Sequence, residues 1–358
     1  MAEALKDQDP EIIKHFKGHK GPITGVAFSS KEPQLVTVSE DSDVIVWNYR
    51  QQEKVFKFSG HTAEVHDVAW DPSGSVFATV SSDQMIRLWT PKICGKTRSL
   101  HGHTAHVRTV DFHRSGRTFV SGADDKCLKL WSKKEFNFLR SFTGHTNWLR
   151  CARMAPYDDL IGSCGDDKMV KIWDMESGKC IHAFLQNSGI PRTLAWHPDT
   201  HTVAVGLSTR TVKLFDVRSQ ELIQYYKTHA EAVNSVAFHP NGKYMLTGSD
   251  DGTMKVCDLL EGRYIYTLTS GSGSIKAVAF STDGDFFASG SSNADLHVWK
   301  ANLPNEEPLE GSSIEEVKKF LKQDSTDDSW LRRSPTPLKN QESLDDKENQ
   351  DSQFDRTF

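Results

Sequence analysis

The chain has 358 residues, 25% charged and 37% hydrophobic, with a net charge of −5. Its apolar runs are only a few residues long, too short for a membrane-spanning helix, and the charged opening Met1–Pro10 has no apolar core of a secretory signal. Six cysteines (94, 127, 151, 164, 180, 257) contain no CxxC pair, which argues against a disulfide scaffold or zinc finger and fits a reducing cytoplasm, and so balanced a charge predicts no nucleic-acid partner.

The first β-type run is Ile12–Phe16, followed by Gly18-His19. Gly-His then recurs at 60–61, 102–103 and 144–145, each 42 residues on. The same spacing continues through Gln186-Asn187, Thr228-His229 and Ser270-Gly271, three further copies with eroded marks. A second series at that period reads Trp47, Trp89, Trp131, Trp173, Phe215, Cys257 and Trp299. A third reads Asp41, Asp83, Asp125, Asp167, Thr209, Asp251 and Asn293. Within the second copy, four short runs are predicted strands: Val65–Trp70, Val76–Val80, Met85–Trp89 and Thr97–Leu100. Turn residues separate them, Asp71-Pro-Ser-Gly74 and Ser82-Asp83-Gln84. One such four-stranded unit cannot bury both faces alone, so the copies must stack around an axis.

A 42-residue period with Gly-His and Trp-Asp marks resembles the WD40 repeats, and seven copies imply an all-β, seven-bladed β-propeller over residues 1–304. No outer strand follows Trp299, so the N-terminal run is expected to complete the last blade and remove an open edge.

Each early copy carries the residue types of a catalytic triad beside an indole. These are His19, Ser39, Asp41 and Trp47 in blade one, and His61, Ser81, Asp83 and Trp89 in blade two. Recurrence at fixed register favours a structural chain, Asp to imidazole to hydroxyl to indole N–H, over a nucleophile. On this reading Ala123 and Gly165 break the chain in blades three and four, Cys257 breaks it in blade six, and Gly271 and Asn293 depart in blade seven. Blade five has lost all four residues, with Asn187, Leu207, Thr209 and Phe215, and is expected to be the softest. The channel is expected to hold no non-repeating polar cluster, as an enzyme built on this scaffold would need. No GxxxxGK[ST] or GxGxxG cradle is present, and neither cofactor, metal nor small-molecule substrate is implied.

Partner binding on such a ring is expected at the mouth. Blades three to five combine His106, Arg108, Trp148, Arg150 and Arg192 there, flanked by Asp124 and Asp166, and Arg and Trp are enriched at interaction hot spots. The competing reading is that each arginine only pairs with a nearby aspartate.

Residues 305–358 form a separate acidic tail, with 14 acidic and 8 basic residues. Ser313–Lys322 reads as a short amphipathic helix (about 313–323), capped by Ser313 and Glu316, and the rest is expected to be disordered. Ser334 and Thr336, each before a proline, are candidate phosphosites, and Lys347-Glu-Asn349 resembles a degron.

Several stretches resemble the proteome-of-centriole protein 1 family: His15–His19, Gly102–Phe112, Asn147–Ala152, Leu194–Pro198 and Asp258–Leu268. That resemblance implies a non-enzymatic scaffold of the centrosome, centrioles and basal bodies. It implies roles in centriole integrity, elongation and cilium formation, with centriolar and microtubule-associated partners and no membrane partner. The family's C-terminal coiled coil has no counterpart beyond the short stretch at 314–322. A second class is a substrate receptor of a cullin-RING ubiquitin ligase, because Phe215-Asp216-Val217-Arg218 approximates the WDxR box of such receptors with Phe for Trp.

Overall fold

A computed structural model describes residues 9–92, 97–227, 229–271 and 273–303. The proposed tail helix, Ser334, Thr336 and the Lys-Glu-Asn stretch lie outside these residues.

The described chain forms 28 strands in seven antiparallel sheets of four. Strand β1 (Glu11–Lys17) stands first in sequence but last in space. Blade one then comprises β2 (Ile23–Phe28), β3 (Gln34–Ser39), β4 (Asp43–Asn48) and β5 (Glu53–Ser59), hydrogen-bonded in chain order. Blade two comprises β6 (Val65–Trp70), β7 (Phe77–Ser81), β8 (Met85–Trp89) and β9 (Thr97–His101), close to the runs read from sequence. The innermost strands of blades three to seven are β10 (Val107–Phe112), β14 (Leu149–Met154), β18 (Pro191–Trp196), β22 (Val233–Phe238) and β26 (Ile275–Phe280).

Local chemistry explains the short strands. After each turn aspartate position the backbone enters the left-handed region, from φ 62° at Lys168 to 77° at Gly252, which reverses the chain within two residues. At the other end, the Asp71 carbonyl accepts from the Gly74 N–H (2.8 Å), and Gly74 takes φ 65°.

The core lies between blades rather than within them. Val36, Val38, Val44 and Val46 of blade one pack with Val65, Val68, Trp70, Phe77 and Trp89 of blade two, all buried. Alternating side chains on a strand leave the sheet on opposite faces, so each blade covers both neighbours. Outer strands are mostly exposed, as in β5 and β9.

Closure follows from the ends. The seventh sheet runs β1, β28 (Asp295–Lys300), β27 (Phe286–Ser291), β26, with Glu11 opposite Lys300 and Lys17 opposite Asp295. The outer strand of the last blade therefore comes from the start of the chain.

Candidate functional site

The repeated polar chain is present, but its hydroxyl is two residues earlier than the sequence reading placed it. In blade one His19 Nδ1 donates to Asp41 (3.1 Å), Thr37 Oγ1 donates to His19 Nε2 (2.8 Å), and Trp47 Nε1 donates to Thr37 Oγ1 (2.9 Å). In blade two the corresponding groups are His61, Asp83, Thr79 and Trp89, each link 2.8 Å long. Ser39 and Ser81 are not members. Ser39 Oγ donates to the Gly21 carbonyl (2.9 Å) and accepts from the Asp41 N–H (3.1 Å), and Ser81 does the same with Ala63 and Asp83 (both 3.1 Å). Residues 37 and 39 share one face of a strand, so alternation alone cannot separate them. The signal was in the period: Thr37, Thr79, Ser121, Ser163, Thr247 and Ser289 carry a hydroxyl in six of seven copies, whereas the Ser39 series is interrupted three times.

Blades three and four are consequently intact. His103, Asp125, Ser121 and Trp131, and His145, Asp167, Ser163 and Trp173, repeat the same links at 2.7–2.8 Å. Blade six keeps His229, Asp251 and Thr247 but has Cys257 for the indole. Blade seven keeps Ser289 and Trp299 (3.1 Å). Blade five replaces the hydroxyl and the indole with apolar packing, as Val205 and Phe215 share a buried cluster and the Phe184 ring lies tilted 4.9 Å from Phe215. Glycine before the histidine leaves room for the indole: a Cβ on Gly60 would lie 2.9 Å from Trp89.

Hydrogen bonding favours the carboxylate form of the network aspartates in blades one to three and six, and burial favours the neutral imidazole in blades four and six. Burial alone would raise the Asp83 carboxyl, but the bond from His61 and the Met85 and Thr62 amides outweigh it and bring it down to about 2. Asp41 and Asp125 move the same way by the same balance. Burial lowers His145 and His229 despite their aspartates. Blade five, without this network, is expected to exchange backbone amides faster over 187–220 than blades one to four over the equivalent residues. Equal protection in hydrogen exchange would show that Val205, Phe215 and Phe184 replace the network fully.

At the mouth, the structure places the five rim residues on neighbouring blades. Arg108 pairs with Asp124 through two parallel bonds (Nε–Oδ1 3.0 Å, Nη2–Oδ2 2.8 Å), and its Nη1 meets His66 Nε2 at 3.2 Å. Burial and the Arg108 charge push His66 down to about 4, so it stays neutral there. Arg150 repeats the fork on Asp166 (2.6 and 2.5 Å). Arg192 reaches across to the next blade, to Asn234 (2.8 Å) and Asp250 (3.0 Å), where Lys276 also binds Asp250 (2.7 Å). These forks hold the guanidinium planes in place and cancel most of their charge. Trp148 is 47% exposed with the Arg150 guanidinium 5.8 Å from its ring, and His106 is exposed beside it in sequence order on blade three.

The WD domain, G-beta repeat family matches residues 10–48, 52–90, 94–132, 136–174, 178–216, 220–258 and 262–300. The chain belongs to the WD40 repeat family. Among characterised relatives, POC1 centriolar protein homolog B of Xenopus laevis is 44% identical over 57 residues, 16% of this chain and 12% of that protein. POC1 centriolar protein homolog A of Bos taurus is 42% identical over 50 residues, 14% of this chain and 12% of that protein. The POC1 centriolar protein homolog of Drosophila melanogaster is 41% identical over 50 residues, 14% of this chain and 13% of that protein. These alignments thus span only about one eighth of each relative's length.

Two further places in this WD40 ring bear on function. The inner wall does carry a non-repeating polar cluster, contrary to the sequence reading. Eight residues after each Gly-His histidine position the series runs Ala27, Ala69, Asp111, Arg153, Ala195, Ala237, Ala279, so two charges stand among alanines. Arg153 Nη1 binds Asp67 (2.7 Å) and Thr109 (2.8 Å), Thr109 binds Asp67 (3.0 Å), and Asp111 accepts from the Met154 N–H (2.8 Å). Burial pushes Asp111 up to about 6 even though Arg153 opposes it. The cluster ties the inner strands of blades two, three and four: Asp67, Thr109 and Arg153 are bonded to one another, and Asp111 joins blade four through the Met154 amide. In the WDxR-like stretch, Phe215, Asp216 and Val217 are buried, whereas Arg218 is exposed with its guanidinium against His201.

Proposed function

We propose that this propeller is a non-enzymatic scaffold of centrioles and basal bodies, supporting centriole integrity, elongation and cilium formation. The centriolar address is supported by the centriolar relatives it matches. The docking surface is the rim of blades three to five, and the observation that carries it is Trp148. An indole 47% exposed, flanked by arginines already held in carboxylate forks, loses little side-chain freedom on binding and presents a large apolar area. The partners would be other centriolar or microtubule-associated proteins.

The test is localisation of the tagged protein in dividing cells, full-length beside a form ending at Pro304 and a Trp148→Ala/His106→Ala double variant. Both side chains are exposed, so the variant should melt within about 2 °C of wild type. The first two forms should give a centriolar focus, and the double variant should lose most of it. A focus that survives in the double variant removes the rim assignment. Diffuse signal from all three removes the centriolar reading and brings forward the ligase-receptor reading, whose own requirement is Arg218.

A further inference from the structure

One cross-strand pair recurs between the two innermost strands of every blade. It reads Gly25 opposite Val38, Asp67 opposite Val80, Thr109 opposite Gly122, Thr193 opposite Gly206, Ser235 opposite Gly248 and Ala277 opposite Gly290. Side chains at these two positions share one face and touch. A Cβ on Gly122 would lie 2.9 Å from Thr109 Cγ2, one on Gly206 2.6 Å from Thr193 Cγ2, and one on Gly25 2.8 Å from Val38 Cγ2. Five blades relieve this crowding with a glycine on one side, and blade two sets a charged Asp67 beside Val80. Blade four instead sets Cys151 opposite Cys164 (β15, Leu160–Gly165), so two sulfurs occupy the tight position.

Both thiols are free, and they belong to one buried cluster, Cys151 at 4% exposure and Cys164 at none. Cys151 Sγ reaches the Leu194 carbonyl of the next blade (3.7 Å). The hydrogen bond from Cys164 lowers the Cys151 thiol below its ordinary range, with help from the Arg153 charge, while burial and the neighbouring sulfur push Cys164 up. Cys151 keeps 4% exposure against none for Cys164, so it is the sulfur a small oxidant meets first, with Cys164 directly opposite to follow.

We propose that Cys151 and Cys164 are a redox modification site, forming a reversible cross-strand disulfide in blade four, in the core it shares with blade five, when the protein meets a hydroperoxide. In the first step the Cys151 thiolate attacks a peroxide oxygen. The S–O bond forms, the O–O bond breaks, and hydroxide leaves as water after taking a proton. In the second step Cys164 gives up its proton and attacks that sulfur. The S–S bond forms, the S–O bond breaks, and a second water leaves. Two thiols lose two electrons and two protons, and one hydrogen peroxide becomes two waters. Directly opposed residues of antiparallel strands hold Cβ atoms about 4.5–5.5 Å apart, at or beyond the upper end of ordinary disulfide spacing. A bond formed there is strained and is readily reduced by dithiols through exchange.

The test uses the full-length chain, treated with hydrogen peroxide, unfolded, alkylated and digested with trypsin. Cleavage after Arg150, Arg153 and Lys168 releases Cys151–Arg153 and Met154–Lys168 separately unless they are joined. The expected result is a linked species, two hydrogens lighter than its parts, that comprises most of both peptides and disappears with dithiothreitol. Full alkylation of Cys151 and Cys164 while the exposed Cys180 is oxidised would overturn the proposal, as would oxidation of Cys151 to sulfinic acid with no linked peptide. Cys164→Gly places there the residue that four other blades use, so the ring should fold. In that variant the linkage must vanish and a dimedone adduct must appear on Cys151. A linked Cys151 in the variant, or none in wild type, also defeats the assignment.

Discussion

A form lacking residues 1–17 is expected to lose at least about 5 kcal/mol of stability, with a melting temperature lower by roughly 10 °C or more. The deletion removes β1, which pairs with β28 from Glu11–Lys300 to Lys17–Asp295. It leaves β28 as an unpaired edge in a ring that otherwise keeps its inner strands inside. It also removes Phe16, which is 4% exposed and packs 5.0 Å from the Trp47 ring, so blade one loses a neighbour as well. At the seam His15 binds Asp295 (2.6 Å) and stacks on His297 with ring centroids 4.5 Å apart. Because a truncated chain can fail to express, Phe16→Ala in the intact protein supplies a second reading, with an expected loss of about 3–5 kcal/mol. A peptide of residues 9–17 added in excess should restore part of the truncated form's melting temperature by strand addition. A truncated form that melts with the wild type would show that the ring does not depend on this closure.

The closure, the blade number and the strand boundaries were legible because the 42-residue spacing runs through all seven copies, even where Gly-His, the turn aspartate or the indole has eroded. What escaped reading lay where the period is silent or two registers fit equally well. Ser39 and Thr37 point to the same side of β3, and only comparison across copies separates the hydroxyl that meets the indole from the one that caps a turn. Asp67, Asp111 and Arg153 were hidden for the opposite reason. Each is a departure from small residues at an inner-strand position, and the bonds of Asp67 to Thr109 and Arg153 join residues 42 and 86 apart. No local pattern records such a contact. The rim arginines were visible by type, and Asp124 and Asp166 beside them by position, but the two-bond forks and the reach of Arg192 to Asp250 in the next blade are not recorded in spacing.

Large single-residue effects are also expected at the hydroxyl between histidine and indole. Thr79→Val keeps the shape of a fully buried side chain but leaves Trp89 Nε1–H and His61 Nε2 without their partner. Two buried polar groups left unpaired give a loss of roughly 2–4 kcal/mol. Ser81→Ala, at the position read from sequence, removes only the turn bonds to Ala63 and Asp83 and should lose about 1 kcal/mol. Equal losses in urea unfolding would remove Thr79 from the network. Proton linkage gives a second readout. Burial holds His145 and His229 below 6.5, so these groups bind fewer protons in the folded state, and their contribution is full above about pH 6.5 and falls as pH drops below it. For Asp83, from 3.8 to about 2, the corresponding loss comes between about pH 4 and 2. Blade five shows how the loss can be avoided, since Val205 and Phe215 dispense with both hydroxyl and indole N–H. Adding Trp89→Phe to Thr79→Val brings that pair into blade two and removes the orphaned indole donor. The double variant should therefore lose less than the sum of the single ones, by about 1 kcal/mol or more. Strict additivity would mean that the indole and the hydroxyl act independently, and that the chain from aspartate to tryptophan is a set of separate bonds.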